Sequence, residues 1–212
     1  VGSGVCMAGL HTAILSALMS VSTIVLNQIL VAYGNEPVAA VGIVFKANMF
    51  VTFLQMGLAN GVQPLLGYYY GAGNRERFAG IESFTKKCCI ITGILTTIVF
   101  YAGRDPVIRL FIDDPAVIKY GVSMLTAYLL SGPVIGILFV NMNSIQSTGN
   151  AMPATVLSIL RQGLLLIPLL YLLNRIFGLD GVIYGQALTD YIAVALSVVL
   201  WRQRKQKLWQ SV

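Results

Sequence analysis

One acidic residue lies deep inside an apolar stretch of the chain, where a carboxyl group can carry out proton chemistry. Asp190 follows the preceding glycine-containing turn by about eight residues, or roughly 12 Å along a helix. An apolar environment disfavours the charged carboxylate, so such a group can bind and release a proton and couple to an ion gradient. The alternative is a structural acid hydrogen-bonded to a neighbouring helix. The sequence leaves both interpretations of Asp190 open.

A stripe of residues in an earlier apolar stretch has the chemistry to bind an organic ligand. Lys46, Met49, Phe53, Met56 and Asn60 recur at helical spacing, so they share one helix face. A cation, flexible methionines, an aromatic ring and an amide suit a cavity that accepts many organic molecules. The same stripe is also compatible with ordinary packing between helices.

Further amides fall inside apolar stretches, where contact with lipid is costly. Asn27, Asn48 and Asn141 should therefore point towards protein or water. The predicted substrate-binding residues are Asn27, Asn48, Met49, Phe53, Asn60 and Asn141.

The remaining reactive residues do not form an enzyme site. His11 is the one histidine, and it lies near the cytoplasmic face whereas Asp190 is deep, so the two do not suggest an acid–base pair. The three cysteines include no CxxC motif, so we predict neither a metal site nor a disulfide framework. We expect no cofactor and no catalytic residue.

The composition places these residues in a membrane protein. The chain is 57% hydrophobic and 10% charged, whereas soluble domains carry about 25% charged residues. Its net charge of +6 comes from loops and the C-terminal segment, with no basic–aromatic strip that would bind nucleic acid. We predict an all-α polytopic membrane protein embedded in the lipid bilayer.

Six apolar segments approach or exceed the roughly 20 residues needed to cross a bilayer. They lie at about 10–32, 38–67, 84–103, 121–143, 154–174 and 181–201, followed by a basic tail at 202–212. Most loop arginines and lysines share one side of the membrane if both termini are cytoplasmic, and the positive-inside rule favours that orientation. Arg161 is interpreted as an anchor at the cytoplasmic interface.

Two of the segments contain residues that allow a bend. Pro64 and Gly67 should loosen the end of the second segment, and Gly132 with Pro133 should bend the fourth. We predict these four residues as hinges. Between the third and fourth segments, Asp113-Asp114-Pro115 favours a helix-capping turn between two short amphipathic helices over a cation site.

Several motifs resemble the C-terminal lobe of MATE (multidrug and toxic compound extrusion) transporters. The strongest is QPLLGYYYGAGNRERF at the end of the second segment, and IQSTGN, SILRQG and FGLDGV follow in the expected order. The resemblance covers about residues 9–190. The chain departs from the pattern at His11 and Ala187, where the family has proline.

The resemblance implies a function and a missing partner. DinF- and MepA-like bacterial members have two six-span lobes and exchange Na⁺ or H⁺ for organic cations by alternating access. This chain resembles the C-terminal lobe only, and it starts almost directly on an apolar segment, so we expect an N-terminal lobe as its partner. The expected location is the bacterial inner membrane. Some relatives carry coupling acids on the first and fourth spans of this lobe, and here those spans have none.

Two other functions remain open on the sequence alone. A lipid-linked sugar flippase of the same superfamily would need a strongly cationic cavity, for which Lys46 is the one candidate. A non-transporting membrane assembly partner would also present an exposed cavity face.

Overall fold

The described part of the chain is helical, with short turns between the helices. The computed structural model describes the backbone of residues 2–149 and 152–208, and the side chains of residues 16–149, 152–206 and 208. The histidine at position 11 therefore lies outside the described side chains. No β-strand occurs within those backbone ranges.

Nine α-helices and one π-helical turn follow one another within the described backbone. Their bounds are α1 Gly2–Val31, α2 Asn35–Gly71, α3 Arg75–Ala102, α4 Arg104–Arg109, α5 Pro115–Leu129, α6 Gly132–Ser147, α7 Met152–Ile159, the π-turn Leu160–Leu165, α8 Leu166–Phe177 and α9 Leu179–Leu208.

The six predicted spans all correspond to helices, and the structure extends most of them. Four continuous stretches are long and apolar enough to cross a membrane: Asn35–Gly71, Arg75–Ala102, Met152–Phe177 and Leu179–Gln206. Helices α5 and α6 are long and apolar enough to cross a membrane only when taken together, and they are bent by 47° relative to each other. Helix α1 is 30 residues long, and its described apolar part is Ser16–Val31.

Tight turns place alternate connections at the two ends of the bundle. Gly73 has a φ of 68° in the α2–α3 turn, and the Asn74 side chain caps α3 by accepting from the Arg77 N–H. We call this end, which also holds the last turns of α9, the basic end. At the opposite end, Tyr33 Oη donates to Asn174 Oδ1 over 2.6 Å, which joins the α1–α2 turn to α8.

The Asp113-Asp114-Pro115 segment is a helix cap, as predicted. Asp114 Oδ1 accepts from the Ala116 N–H over 2.8 Å, and Pro115 occupies the first turn of α5. The short helix before this segment is α4. The expected short helix after it does not exist as a separate element, because the chain continues without a break into the apolar part of α5.

The α5–α6 bend is held by side chains from other helices. Pro133 has no N–H, so the Leu129 carbonyl lacks its helical donor, and Thr97 Oγ1 donates to it over 3.2 Å. Tyr191 Oη donates to the Leu130 carbonyl over 2.8 Å. Each freed carbonyl thus has a partner, which an apolar environment demands. The predicted bend at Gly132-Pro133 is present.

The second span is not loosened at its proline. Helix α2 continues unbroken through Pro64 and Gly67 and ends at Gly71. The hydrogen-bonded helix is therefore continuous where we expected a loosened segment, and a bend at Pro64 stays a prediction. Whether these residues serve as a hinge during transport stays a prediction.

Candidate functional site

The predicted stripe on α2 lies on the outside of the lobe. Met49, Phe53 and Met56 are 48%, 58% and 42% exposed, and Lys46 and Asn60 are exposed as well. The opposite face of α2, including Val44 and Val51, is buried against the other helices. Packing inside the lobe therefore does not explain the stripe, and its side chains are free to line a cavity.

A shallow apolar groove runs beside this stripe on the same helix. Its lining consists of Phe50, Phe53, Leu54, Gly57 and Leu58. Phe53 belongs to both the stripe and the groove, which makes it the aromatic centre of the exposed α2 face. The absence of a side chain at Gly57 leaves open space, since nothing lies within 4 Å of where a Cβ would be.

The two ends of the stripe carry its polar groups. Lys46 Nζ lies 5.8 Å from the centre of the Phe111 ring, which is a cation–π contact near the end of the bundle away from the basic end. At the other end, Asn143 Nδ2 donates to Asn60 Oδ1 over 2.8 Å. One turn further along, Gln63 Nε2 and Gln146 Oε1 are 3.3 Å apart. These amides connect α2 to α6 beside the basic end.

The other predicted wall residues divide into two groups. Asn27 on α1 and Asn48 on α2 are half-buried, so part of each amide is accessible. Asn141 is fully buried, and its Nδ2 donates to Ser197 Oγ of α9 over 3.0 Å. Our expectation that Asn141 lines the cavity is therefore wrong for this lobe, because its side chain is buried and hydrogen-bonded between α6 and α9.

Asp190 pairs with Arg161, which the sequence analysis placed at the cytoplasmic interface. Arg161 Nε donates to Asp190 Oδ1 over 2.7 Å, and Gln186 Nε2 lies 3.3 Å from the same oxygen. The Arg161 and Asp190 side chains are only 17% and 5% exposed. Arg161 is therefore an intramembrane counter-ion, and its interpretation as an interfacial anchor is wrong.

A π-turn positions Arg161 for this pairing. Within the π-turn, the Gln162 carbonyl accepts a hydrogen bond from Ser22 Oγ of α1. Leu18 of α1 packs against Gly163, where a Cβ would lie 2.8 Å from Leu18 Cδ2. The same turn thus contacts α1 through its backbone and α9 through its guanidinium. Such turns occur often at functional sites.

Sequence reasoning did not single out a buried glutamine where three helices meet. Gln55 Nε2 of α2 donates to the Cys89 carbonyl of α3 over 3.0 Å and to the Gly132 carbonyl over 3.2 Å. Its Oε1 is buried without a partner among the described residues. A Cβ at Gly136 would collide with this amide. In the sequence, only the closely spaced glycines of α6 indicate a tight helix contact, and they do not show that Gln55 fills it.

A second missed group lies at the basic end. Glu82 of α3 is 4% exposed, and its carboxylate accepts from Trp201 Nε1 over 2.6 Å and Lys205 Nζ over 2.6 Å, both on α9. Lys86 Nζ of α3 completes the set at 2.5 Å. The carboxylate therefore ties α3 to the last turns of α9.

The sequence matches the family model for MatE over residues 12–172. The chain belongs to the MatE family. It is 31% identical over 204 residues to the "Multidrug export protein MepA" of Staphylococcus haemolyticus strain JCSC1435, with 94% of the chain and 44% of that relative covered. The family assignment and the apolar helices make this a multi-pass membrane protein.

Solved structures of MATE proteins share the fold. A MATE in the straight conformation superposes with a TM-score of 0.87 at 18% identity, covering 95% of the chain and 46% of that structure. A MATE in the bent conformation also gives 0.87, at 19% identity, with 96% and 45% covered. The chain therefore spans less than half the length of its curated relative and of both structures.

Proposed function

We propose that this chain is one lobe of a multidrug efflux transporter that exports organic cations in exchange for Na⁺ or H⁺. The observation that carries the proposal is the exposed α2 face, where Met49, Phe53 and Met56 lie between a lysine and an amide. Thioether and aromatic groups contact varied organic cations without demanding one geometry. The printed name of the MepA relative supports export of many compounds.

A second lobe completes the proposed cavity. The relatives are more than twice the length that the chain covers, so they contain enough chain for another six-helix unit. Phe50, Phe53 and Leu54 are each more than half exposed on adjacent turns, and on this helix the exposed apolar side chains lie beside the polar ends of the stripe. We assign the N-terminal lobe to this face, with the substrate bound between the lobes.

The proposed mechanism moves the lobe as one body. The similarity is equal to MATE structures in straight and bent conformations, which favours a fold that both conformations share. The Gln55, Glu82 and Asp190 contacts all join helices within the lobe. Rocking of this unit against its partner would expose the cavity to each side of the membrane in turn.

The distribution of basic residues supports the orientation that we propose. Arg75, Arg77, Lys87 and Arg202 all lie at or near the basic end, whereas the opposite end combines its arginines with aspartates around α4. The positive-inside rule places the basic end, and with it both termini, in the cytoplasm. The proposed location is the bacterial inner membrane.

Asp190 is our proposed ion-coupling group, and Arg161 determines how it would act. A proton or Na⁺ at Asp190 competes with the guanidinium for the same carboxylate oxygen. Release of Arg161 would free the π-turn, which contacts α1 through Ser22. Ion binding at Asp190 would thus reach the helix next to the proposed substrate face.

No observation favours the flippase alternative. Lys46 is the one cation on the exposed stripe, and it lies against Phe111 near the opposite end. A pyrophosphate group requires several positive charges at one place.

Dye export by inverted vesicles or intact cells tests the proposal. Phe53→Ala should lower the export of a fluorescent organic cation about tenfold, because an aromatic contact with a cation contributes about 1–2 kcal/mol when desolvated. The matched control is Phe84→Ala on α3, which removes an exposed ring (69%, against 58% for Phe53) from another helix. Equal export by both variants and the unaltered protein, at equal membrane amounts, would contradict the assignment of the α2 face.

A further inference from the structure

The cations of two separate helices lie at one level at the basic end. Helix α3 has no charged residue between Lys87 and Ala102, and α9 has none between Asp190 and Trp201. Lys87 therefore begins the apolar part of α3, and Arg202 follows the apolar part of α9. Both positions correspond to the boundary between hydrocarbon and headgroups.

The buried Glu82 carboxylate fixes these two boundaries relative to each other. It contacts Lys86 on its own helix and both Trp201 and Lys205 on α9, at 2.5–2.6 Å. Lys86 is adjacent to Lys87 in the chain, and Trp201 is adjacent to Arg202. The contacts of Glu82 therefore fix the level of Lys87 on α3 relative to that of Arg202 on α9.

Positive charge exceeds negative charge at this junction. Glu82 neutralises only one of its two lysines. Among the described residues, Lys87 and Arg202 form no ion pair, and both are exposed. We call Lys86, Lys87, Arg202 and Lys205, together with Glu82, the Glu82 patch. Its composition is suited to an anion.

Each free cation also ends an exposed apolar stripe. On α3 the stripe follows Lys87 at helical spacing, and its residues Ile91, Leu95 and Ile98 are 58%, 58% and 59% exposed. On α9 the stripe Leu188, Tyr191, Ala195 and Val199 precedes Arg202 at the same kind of spacing and is exposed. A ligand with a charged head and long apolar tails matches this arrangement.

We propose that the Glu82 patch binds the headgroup of an anionic phospholipid, with the acyl chains along the exposed stripes of α3 and α9. Lys87 and Arg202 contact the phosphate oxygens, and Lys86 and Lys205 supply the positive surface behind them. Basic pockets between spans at the cytoplasmic side are suited to such lipids. The site is separate from the α2 face and does not depend on which substrate is exported.

Native mass spectrometry of the protein at its full native length tests the proposal. The protein is released from mixed micelles of phosphatidylglycerol and phosphatidylcholine, and the retained lipids are counted. We expect preferential retention of phosphatidylglycerol. The double variant Lys87→Gln/Arg202→Gln should reduce that preference at least fivefold, since two phosphate contacts are lost.

A second double variant provides the matched control. Arg75→Gln/Arg77→Gln removes the same charge from exposed positions about three turns nearer the start of α3, away from the patch. It should retain phosphatidylglycerol as the unaltered protein does. An equal loss in both double variants, or a loss in neither, would overturn the proposal.

Two further measurements complete the test. Inorganic phosphate in excess should not displace the lipid, and displacement would identify soluble phosphate as the ligand instead. Both double variants should melt at the same temperature in phosphatidylcholine. If only Lys87→Gln/Arg202→Gln melts at a lower temperature, the two single variants Lys87→Gln and Arg202→Gln replace it in the lipid measurement. Unchanged preference for phosphatidylglycerol in both single variants, each stable, would also overturn the proposal.

Discussion

At the scale of single residues, Asp190 differs in its surroundings from the other aspartate of α9. It is 3% exposed and hydrogen-bonded to Arg161 and Gln186, whereas Asp180 at the start of the same helix is exposed. A buried ion pair is weak evidence for stability, because the desolvation of both charges offsets their attraction. A role in ion coupling, in which a proton or Na⁺ opens the pair, explains two charges inside a membrane better than a role in stability does.

We predict that Asp190→Asn flattens the pH dependence of export by the complete transporter. The amide cannot take up a proton, so the step in which Arg161 is released no longer responds to pH. The measurement is initial export rate against pH in reconstituted vesicles, with Asp180→Asn as control. An unchanged pH profile in a well-expressed Asp190→Asn variant would show that this acid is structural.

The sequence supports part of this site and not the rest. The depth of Asp190 in an apolar segment is readable because a helix rises by a constant amount per residue. The sequence does not show that Arg161 is the partner of Asp190. Arg161 lies in a π-turn, which shifts the helical spacing of the residues around it, and the pattern of apolar residues does not predict such a turn. Helical spacing predicted that the α2 stripe lies on one face of the helix. Whether that face is exposed or packed depends on the positions of the other helices, which the sequence does not give.

At the scale of the elements, α6 is the helix around which the lobe is arranged. It contacts α2 through the Asn60 and Gln63 amides and through Gln55, and it contacts α9 through Asn141. Small residues permit the close approach, as is usual where membrane helices meet. The six spans themselves follow from apolar length, while these crossings depend on side chains far apart in the chain.

We predict that Gly136→Ala destabilises the lobe by about 1–3 kcal/mol, because the added methyl overpacks the junction around the Gln55 amide. Gly57→Ala is the matched control on α2, since its Cβ would enter open space and alanine favours a helix by about 1 kcal/mol. Thermal unfolding in detergent measures both. Equal melting temperatures for the two variants would contradict the close packing at Gly136.

At the scale of the whole molecule, the basic end holds the final helix in place. Trp201 packs in a cluster with Leu66, Phe78 and Ile145, and its Nε1 donates to Glu82. The last turns of α9 therefore depend on α3 although their own sequence is polar. A rigid lobe of this kind is what the proposed rocking movement requires.

We predict that Glu82→Gln increases amide hydrogen exchange in the last turns of α9 at least tenfold. A neutral amide carries no negative charge to attract Lys86 and Lys205, so the contact between α3 and α9 weakens. Glu76→Gln, which changes an exposed acid in the first turn of α3, should leave the exchange unchanged. The same low exchange in both variants would mean that Trp201 packing alone holds the helix end.

The α5–α6 bend has a consequence for the order of biogenesis. The Leu129 carbonyl finds its donor, Thr97, on a helix that the ribosome has already released. The Leu130 carbonyl receives its donor only from Tyr191, 61 residues later in the chain. Until the last span enters the bilayer, this carbonyl has no protein donor from α9. The hydrogen bond at the Leu130 carbonyl therefore forms only after the final span has been made, and it joins the bend to that span.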